Sequence, residues 1–210
     1  MLNFARRSLI AASLAAAFAF RSGALAQDAP VNTDELHTPG QLGEKTLGPA
    51  DAKVTVVEYA SMSCPHCARF DMNTFDAFKL KYIDSGKVRY IFREFPLNAP
   101  AYAAAMVARC APADKFFDVV HAYFRSQDKW LVQGADVKAK ILDIAKGFGF
   151  TPQSFDACLA NQALFKAIDE VAKRGAGFGV EATPTFFVNG TKLQGELTIE
   201  ELDKAIEPLL

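Results

Sequence analysis

The sequence predicts an α/β fold whose core is interrupted by an all-helical insertion. Three observations predict it. A β-branched apolar run, Val54 to Ala60, leads into a helix opened by Cys64-Pro65-His66-Cys67. Helical patterning then continues without a strand from Ala99 to Arg174. After it come two short strands joined by Asn189-Gly190, then a helix with a capping signal.

Residues 1–26 have the build of an export signal rather than of a domain. Arg6 and Arg7 start it, Leu9 to Phe20 is apolar apart from Ser13, and Ala24-Leu25-Ala26 offers the small residues a signal peptidase reads. The apolar run is too short for a bilayer core about 30 Å thick, so a cleaved leader is expected rather than an anchor. The adjacent arginines also admit twin-arginine export. Residues 27–53 are polar and rich in Gly, Pro and Asp, and read as a loose arm.

Residues 54–98 read as the first part of the core. Val54 to Ala60 is a buried strand. Cys64 to Asp84 is a helix with Phe70, Phe75, Phe78 and Tyr82 near helical spacing, stopped by Gly86, and Val88 to Phe95 is a second strand. Residues 99–174 read as the insertion, with helices at Ala101 to Arg109, Ala113 to Ser126 and Ala135 to Lys146. A fourth is opened by Pro152 after Thr151, a favoured first-turn place for proline. Gly175 to Val180 is too glycine-rich to continue the last helix, so residues 175–210 read as the second part of the core. There Asn189-Gly190 signals a tight hairpin, and Thr198 with Glu201 is a capping box for the last helix.

Taking the leader's three arginines from the 23 basic residues leaves 20 against 24 acidic ones, a net charge of about −4. Without a basic face, no nucleic-acid partner is expected. In an exported chain disulfides persist, so the four cysteines should make two pairs, with three connectivities open.

Cys64 and Cys67 stand at i and i+3 of a helix start, about 5–6 Å apart, within the span of about 4.4–6.8 Å that a disulfide needs. The two sulfurs can therefore close and reopen a bond with little backbone movement. Their positions make them unequal. Cys64 faces unpaired N–H groups and the positive end of the helix, which favour the nucleophilic thiolate. Cys67, one turn in, should be more buried and resolve. Pro65 suits a first turn because it lacks an N–H, and His66 places a potentially charged ring beside the thiolate, or else is an ordinary surface residue. A static disulfide and a zinc knuckle are the other readings of the dithiol. Zinc wants four ligands, usually as two close pairs, and Cys110 and Cys158 stand far apart in sequence.

The runs VVEYASMSCPHCARF, VRYIFREFP and ATPTFFVNG resemble the DsbA family of bacterial periplasmic disulfide oxidases, over essentially the whole of residues 54–210. The resemblance implies a thioredoxin fold with an inserted helical domain. It implies Cys64 as nucleophile, Cys67 as resolving thiol, and Pro65 and His66 as the dipeptide that sets redox poise. Pro184 would be a cis-proline against the active site, preceded by Thr183, where a trans turn proline is the alternative. Glu58 would be a buried acid beneath the dithiol, where a strand-end surface glutamate is the alternative. Cys110 and Cys158, which the family's redox cycle does not require, fall near two helix ends and are expected to form a structural disulfide, with two buried free thiols as the alternative. His37 and His121 read as ordinary surface or helix residues.

The expected function is donation of the Cys64–Cys67 disulfide to exported proteins in the periplasm, with no cofactor and no metal. The partners implied are folding proteins with free thiols and a DsbB-like membrane oxidase that takes the electrons onward. An isomerase or reductase is the nearest alternative, although family isomerases carry an N-terminal dimerisation domain that some 25 residues cannot supply. A peptide-binding, chaperone-like module with a structural disulfide is the non-enzymatic alternative.

Overall fold

The computed structural model describes residues 31–210, and the expected leader lies outside the described residues. The core is one five-stranded mixed sheet. Its strands are β1 (Lys45–Leu47), β2 (Val54–Ala60), β3 (Val88–Glu94), β4 (Thr185–Val188) and β5 (Thr191–Gln194), in the order β1-β3-β2-β4-β5. β2 and β3 run parallel, and every other pairing is antiparallel.

β2 is buried on both faces because it lies in the middle of the sheet. Alternation sends Val56, Glu58 and Ala60 to one side and Val57 and Tyr59 to the other. A short helix, α1 (Thr33–His37), precedes the sheet. The dithiol helix α2 starts at Pro65–Phe70 and runs on through π turns at Asp71–Phe75 and Lys79–Ile83 to Gly86, whose φ of 77° ends it. It covers the Glu58 face of the sheet through Phe70, Phe75 and Phe78, all buried in the main core.

The insertion is helical throughout: α3 (Ala99–Cys110), α4 (Phe116–Arg125), α5 (Gln127–Trp130), α6 (Val137–Lys146), α7 (Pro152–Leu159) and α8 (Gln162–Gly177). Pro152 is the first helical residue of α7, with Thr151 capping it. Cys110 and Cys158 are bonded, joining the end of α3 to α7 with their Cα atoms 6.2 Å apart. The Asn189-Gly190 turn has positive φ at both residues, 43° and 87°. The last helix, α9 (Ile199–Ile206), carries the Thr198–Glu201 capping box.

Two expectations are corrected. α8 does not stop before Gly175 but continues to Gly177. A Cβ at Gly175 would sit 2.6 Å from the Tyr59 ring, so this glycine serves a close approach to β2 rather than a helix end. The arm is not loose from residue 31 onward. β1 pairs with β3, Leu36 is buried, and Arg174 donates to the carbonyls of Glu35 and Thr38 at 3.1 and 2.8 Å. Arg93 pairs with Glu44 at 2.9 Å, and Arg109 reaches the Leu42 and Gly43 carbonyls. These partners are far away in sequence, so polar local composition read as loop.

Candidate active site

Cys64 occupies the N-cap of α2 with extended backbone, and Pro65 is the first helical residue. The Cys64 carbonyl accepts the first helical hydrogen bond from Ala68 N–H at 3.1 Å. It also accepts from the Gln127 side-chain amide at 2.9 Å, and that amide donates to the Met62 carbonyl at 2.6 Å as well. The insertion therefore grips the backbone on both sides of the nucleophile through one side chain. Thr183 and Pro184 come from the loop before β4, joined by a cis peptide bond, and the Thr183 carbonyl accepts from the Cys64 thiol at 3.1 Å.

Both thiols are free and buried, Cys67 completely and Cys64 at 5% exposure. Their acidities are pushed apart. The Cys64 pKa is lowered to about 5, first because the Cys67 thiol donates to its thiolate, then by the Thr183 side chain and the N–H groups of Cys67 and His66. Burial opposes this but loses. The neutral Cys64 thiol makes no capping hydrogen bond to the helix; it is the charged form that these donors favour. The Cys67 pKa is raised well above the ordinary thiol value, first by burial, then by Cys64 and by Glu58.

Glu58 is not a surface glutamate. It is 2% exposed, and the Tyr90 hydroxyl donates to its Oε2 at 2.5 Å. Burial raises its pKa to about 8, Tyr90 opposing and Asp71 and Cys64 adding to the rise. A raised acid contributes stability that is complete below its unfolded pKa, about 4.5, and is lost as pH climbs through 8. Glu58→Gln, which cannot ionise, is therefore expected to stabilise the fold on the order of 3 kcal/mol at pH 7 and hardly at pH 4. Thermal melts across that pH range measure it, and a gain independent of pH would contradict the buried acid.

His66 is placed differently from the sequence expectation. Its Nδ1 accepts from Arg69 at 2.6 Å and lies 3.7 Å from Glu196, which Arg69 also grips at 2.6 Å. The ring is held by charges on the surface, and what His66 brings to the Cys64 thiolate is its backbone N–H.

Cys64, Cys67, Pro65, His66, Glu58, Thr183 and Pro184 thus converge on the start of α2, while Cys110–Cys158 is apart from it in the insertion. Sequence reading missed Gln127, Arg69, Glu196 and a buried Asp71. It also misjudged His121, whose Nδ1 pairs with Asp71 instead of facing solvent freely. Asp71 had a signal: it stands four residues after Cys67 and four before Phe75, on the apolar stripe of the helix. Among the described residues, no three or more His, Cys, Asp or Glu are grouped to hold a metal ion.

The family described as "Thioredoxin" matches residues 41–208. A putative protein-disulfide oxidoreductase of Rickettsia bellii is 33% identical over 172 residues, covering 78% of this chain and 65% of that protein. The chain thus spans a little under two thirds of that relative's length. The crystal structure of alpha-DsbA1 from Wolbachia pipientis matches with a TM-score of 0.77 at 30% identity, over 85% of this chain and 96% of that one. BdbD of Bacillus subtilis, at 24% identity and a TM-score of 0.70, shares the fold. The chain belongs to the thioredoxin family, in the DsbA form that carries an inserted helical domain.

Proposed function

We propose that this protein is a thiol–disulfide oxidase that donates a Cys64–Cys67 disulfide to newly exported proteins. The observation that carries the reading is the inequality of the two sulfurs, Cys64 held near pKa 5 and Cys67 far above the ordinary thiol value. A substrate thiolate attacks Cys64 Sγ, the Cys64–Cys67 bond breaks, and its electron pair leaves on Cys67. Cys67 takes a proton, and Glu58 supplies it, since a carboxyl with a pKa of about 8 is protonated at neutral pH. A second substrate thiolate then attacks the substrate sulfur of the mixed disulfide. The substrate leaves oxidised, and Cys64 departs as a stable thiolate, a good leaving group.

A cleft of about 390 Å³ beside α2, lined by Pro65, Ala68, Arg69, Met72, Phe124 and Gln127 among others, suits a polypeptide segment as substrate. The two electrons left on the dithiol pass to a DsbB-like membrane oxidase. The export-signal pattern of residues 1–26 supports a periplasmic site for the reaction. Among the described residues no helix is long and apolar enough to cross a membrane.

The test is the relative stability of the two redox forms, in a Cys110→Ala/Cys158→Ala background that leaves one redox couple. The depressed Cys64 pKa contributes stability to the reduced fold that is complete above the unfolded value and is lost as pH falls towards 5. At pH 7 that contribution is about 2.7 kcal/mol, from about 1.4 kcal/mol per unit. A disulfide closing so short a loop stabilises the oxidised form by only about 2 kcal/mol. The reduced form should melt higher at pH 7.5, and the order should reverse somewhat above pH 6. An oxidised form that melts higher at pH 7.5 makes the bond a structural staple and ends the oxidase reading.

A further inference from the structure

Glu58 is not the only carboxyl buried under the dithiol helix. Asp71, one helical turn beyond Cys67, is 2% exposed. Both of its oxygens are taken by the insertion: Oδ1 by Arg125 Nε at 3.0 Å, and Oδ2 by His121 Nδ1. Arg125 and His121 sit one turn apart on α4, and Arg125 also reaches Asp76 at 3.1 Å. The Phe75 ring lies between the two acids' partners, 5.4 Å from Tyr90 and 4.7 Å from His121. Tyr90 in turn holds Glu58. A carboxylate in this place is expensive to bury, and an apolar side chain would pack there without needing a guanidinium and an imidazole as partners. The thiol chemistry described above uses none of these three groups.

We propose that Asp71, His121 and Arg125 are a positioning set through which the helical insertion adjusts how tightly Glu58 holds its proton, and so the proton step at Cys67. This rests on the reading of Glu58 as the proton donor to Cys67. Charge on Asp71 acts on Glu58 across packed aromatic rings, where little water screens it. In keeping with this, Asp71 adds to the rise that burial produces in Glu58. The groups facing Glu58 are Tyr90 from β3, Cys64 and Cys67 from the start of α2, and Asp71 further along it. Those facing Asp71 are His121 and Arg125 from α4, with Asp76 on the outer side of Arg125. The arrangement gives opposite signs. Removing the Asp71 charge leaves the Arg125 guanidinium uncompensated and lowers the Glu58 pKa. Removing the Arg125 charge leaves Asp71 less compensated and raises it.

The experiment follows the side-chain carboxyl carbon of Glu58 by carbon-13 NMR through a pH titration of the intact reduced protein, the signal being assigned by its loss in Glu58→Gln. Asp71→Asn should move the midpoint down by about one pH unit, and Arg125→Gln should move it up by about half a unit, less because Arg125 is half exposed. Arg125→Gln alters a surface side chain, so it decides the matter even if Asp71→Asn fails to fold. No movement in Arg125→Gln, or movement of both variants in one direction, overturns the proposal. A wild-type Glu58 that titrates as an ordinary carboxyl brings down its role as proton donor and this inference together. A high midpoint that neither variant moves brings down this inference alone.

Discussion

Cys64→Ser is expected to abolish thiol oxidation, and Cys67→Ser to accumulate substrates as mixed disulfides. The reason lies in the separation of the two thiols. At neutral pH, a Cys64 with a pKa of about 5 is almost wholly thiolate, while buried Cys67 stays protonated. Serine at 64 removes both the attacked sulfur and the leaving group. Serine at 67 leaves the Cys64 thiolate able to attack a substrate disulfide, one substrate sulfur leaving as thiolate, and removes the thiol that would resolve the mixed disulfide so formed. Denaturing, non-reducing gels of trapped protein, and alkylation of the reduced protein with mass mapping, read the two outcomes. Alkylation should reach Cys64 first. Faster labelling of Cys67 would reverse the roles.

Losing the second disulfide should lower stability by a large amount. Cys110 and Cys158 are 48 positions apart, and closing a loop of that size restricts the unfolded chain by about 4 kcal/mol in the chain-entropy picture. At about 2–4 °C per kcal/mol for a domain of this size, Cys110→Ala/Cys158→Ala should melt on the order of 10 °C lower. The bond ties α3 to α7, both away from the dithiol. Substrate oxidation by the folded variant should therefore stay close to that of the parent at 25 °C. A melt within 2 °C of the parent would show that the unfolded chain gains little freedom when the bond is removed.

What the sequence made legible followed the range of the forces involved. Short-range signals were readable: the β-branched run of β2, Pro152 after Thr151, the Asn189-Gly190 turn, the Thr198–Glu201 box. Each is a local preference that the fold keeps. The pair Cys64 and Cys67 could be read as unequal because helix position alone separates them. The causes of that inequality could not all be read, since Thr183 arrives from the other end of the chain. Long-range pairings were hidden. β1 is three residues of ordinary composition that become a strand only because β3 offers an edge. His121 looked ordinary because Asp71 stands 50 positions before it, and Gln127 gives no local hint that its amide will bond two carbonyls beside the nucleophile. Gly175 was read as a breaker because composition cannot show the Tyr59 ring beside it.

The ordered N-terminal segment has a consequence for a protein proposed to work among unfolded chains. A parallel pair such as β2 and β3 leaves β3 with a free row of N–H and C=O groups on its far side, and extended client segments are the natural partners of such an edge. β1 covers the middle of that row in antiparallel register, Lys45 opposite Phe92 and Leu47 opposite Tyr90. Arg93 and Arg109 hold the segment in place through Glu44 and the Leu42 and Gly43 carbonyls. At the opposite margin β5 is only four residues long. The sheet thereby ends in a strand of three residues on one side and of four on the other, short edges of the kind that offer little to a pairing chain. Under the proposed function, such short edges favour clients meeting the protein at Cys64 over their pairing with it as extra strands.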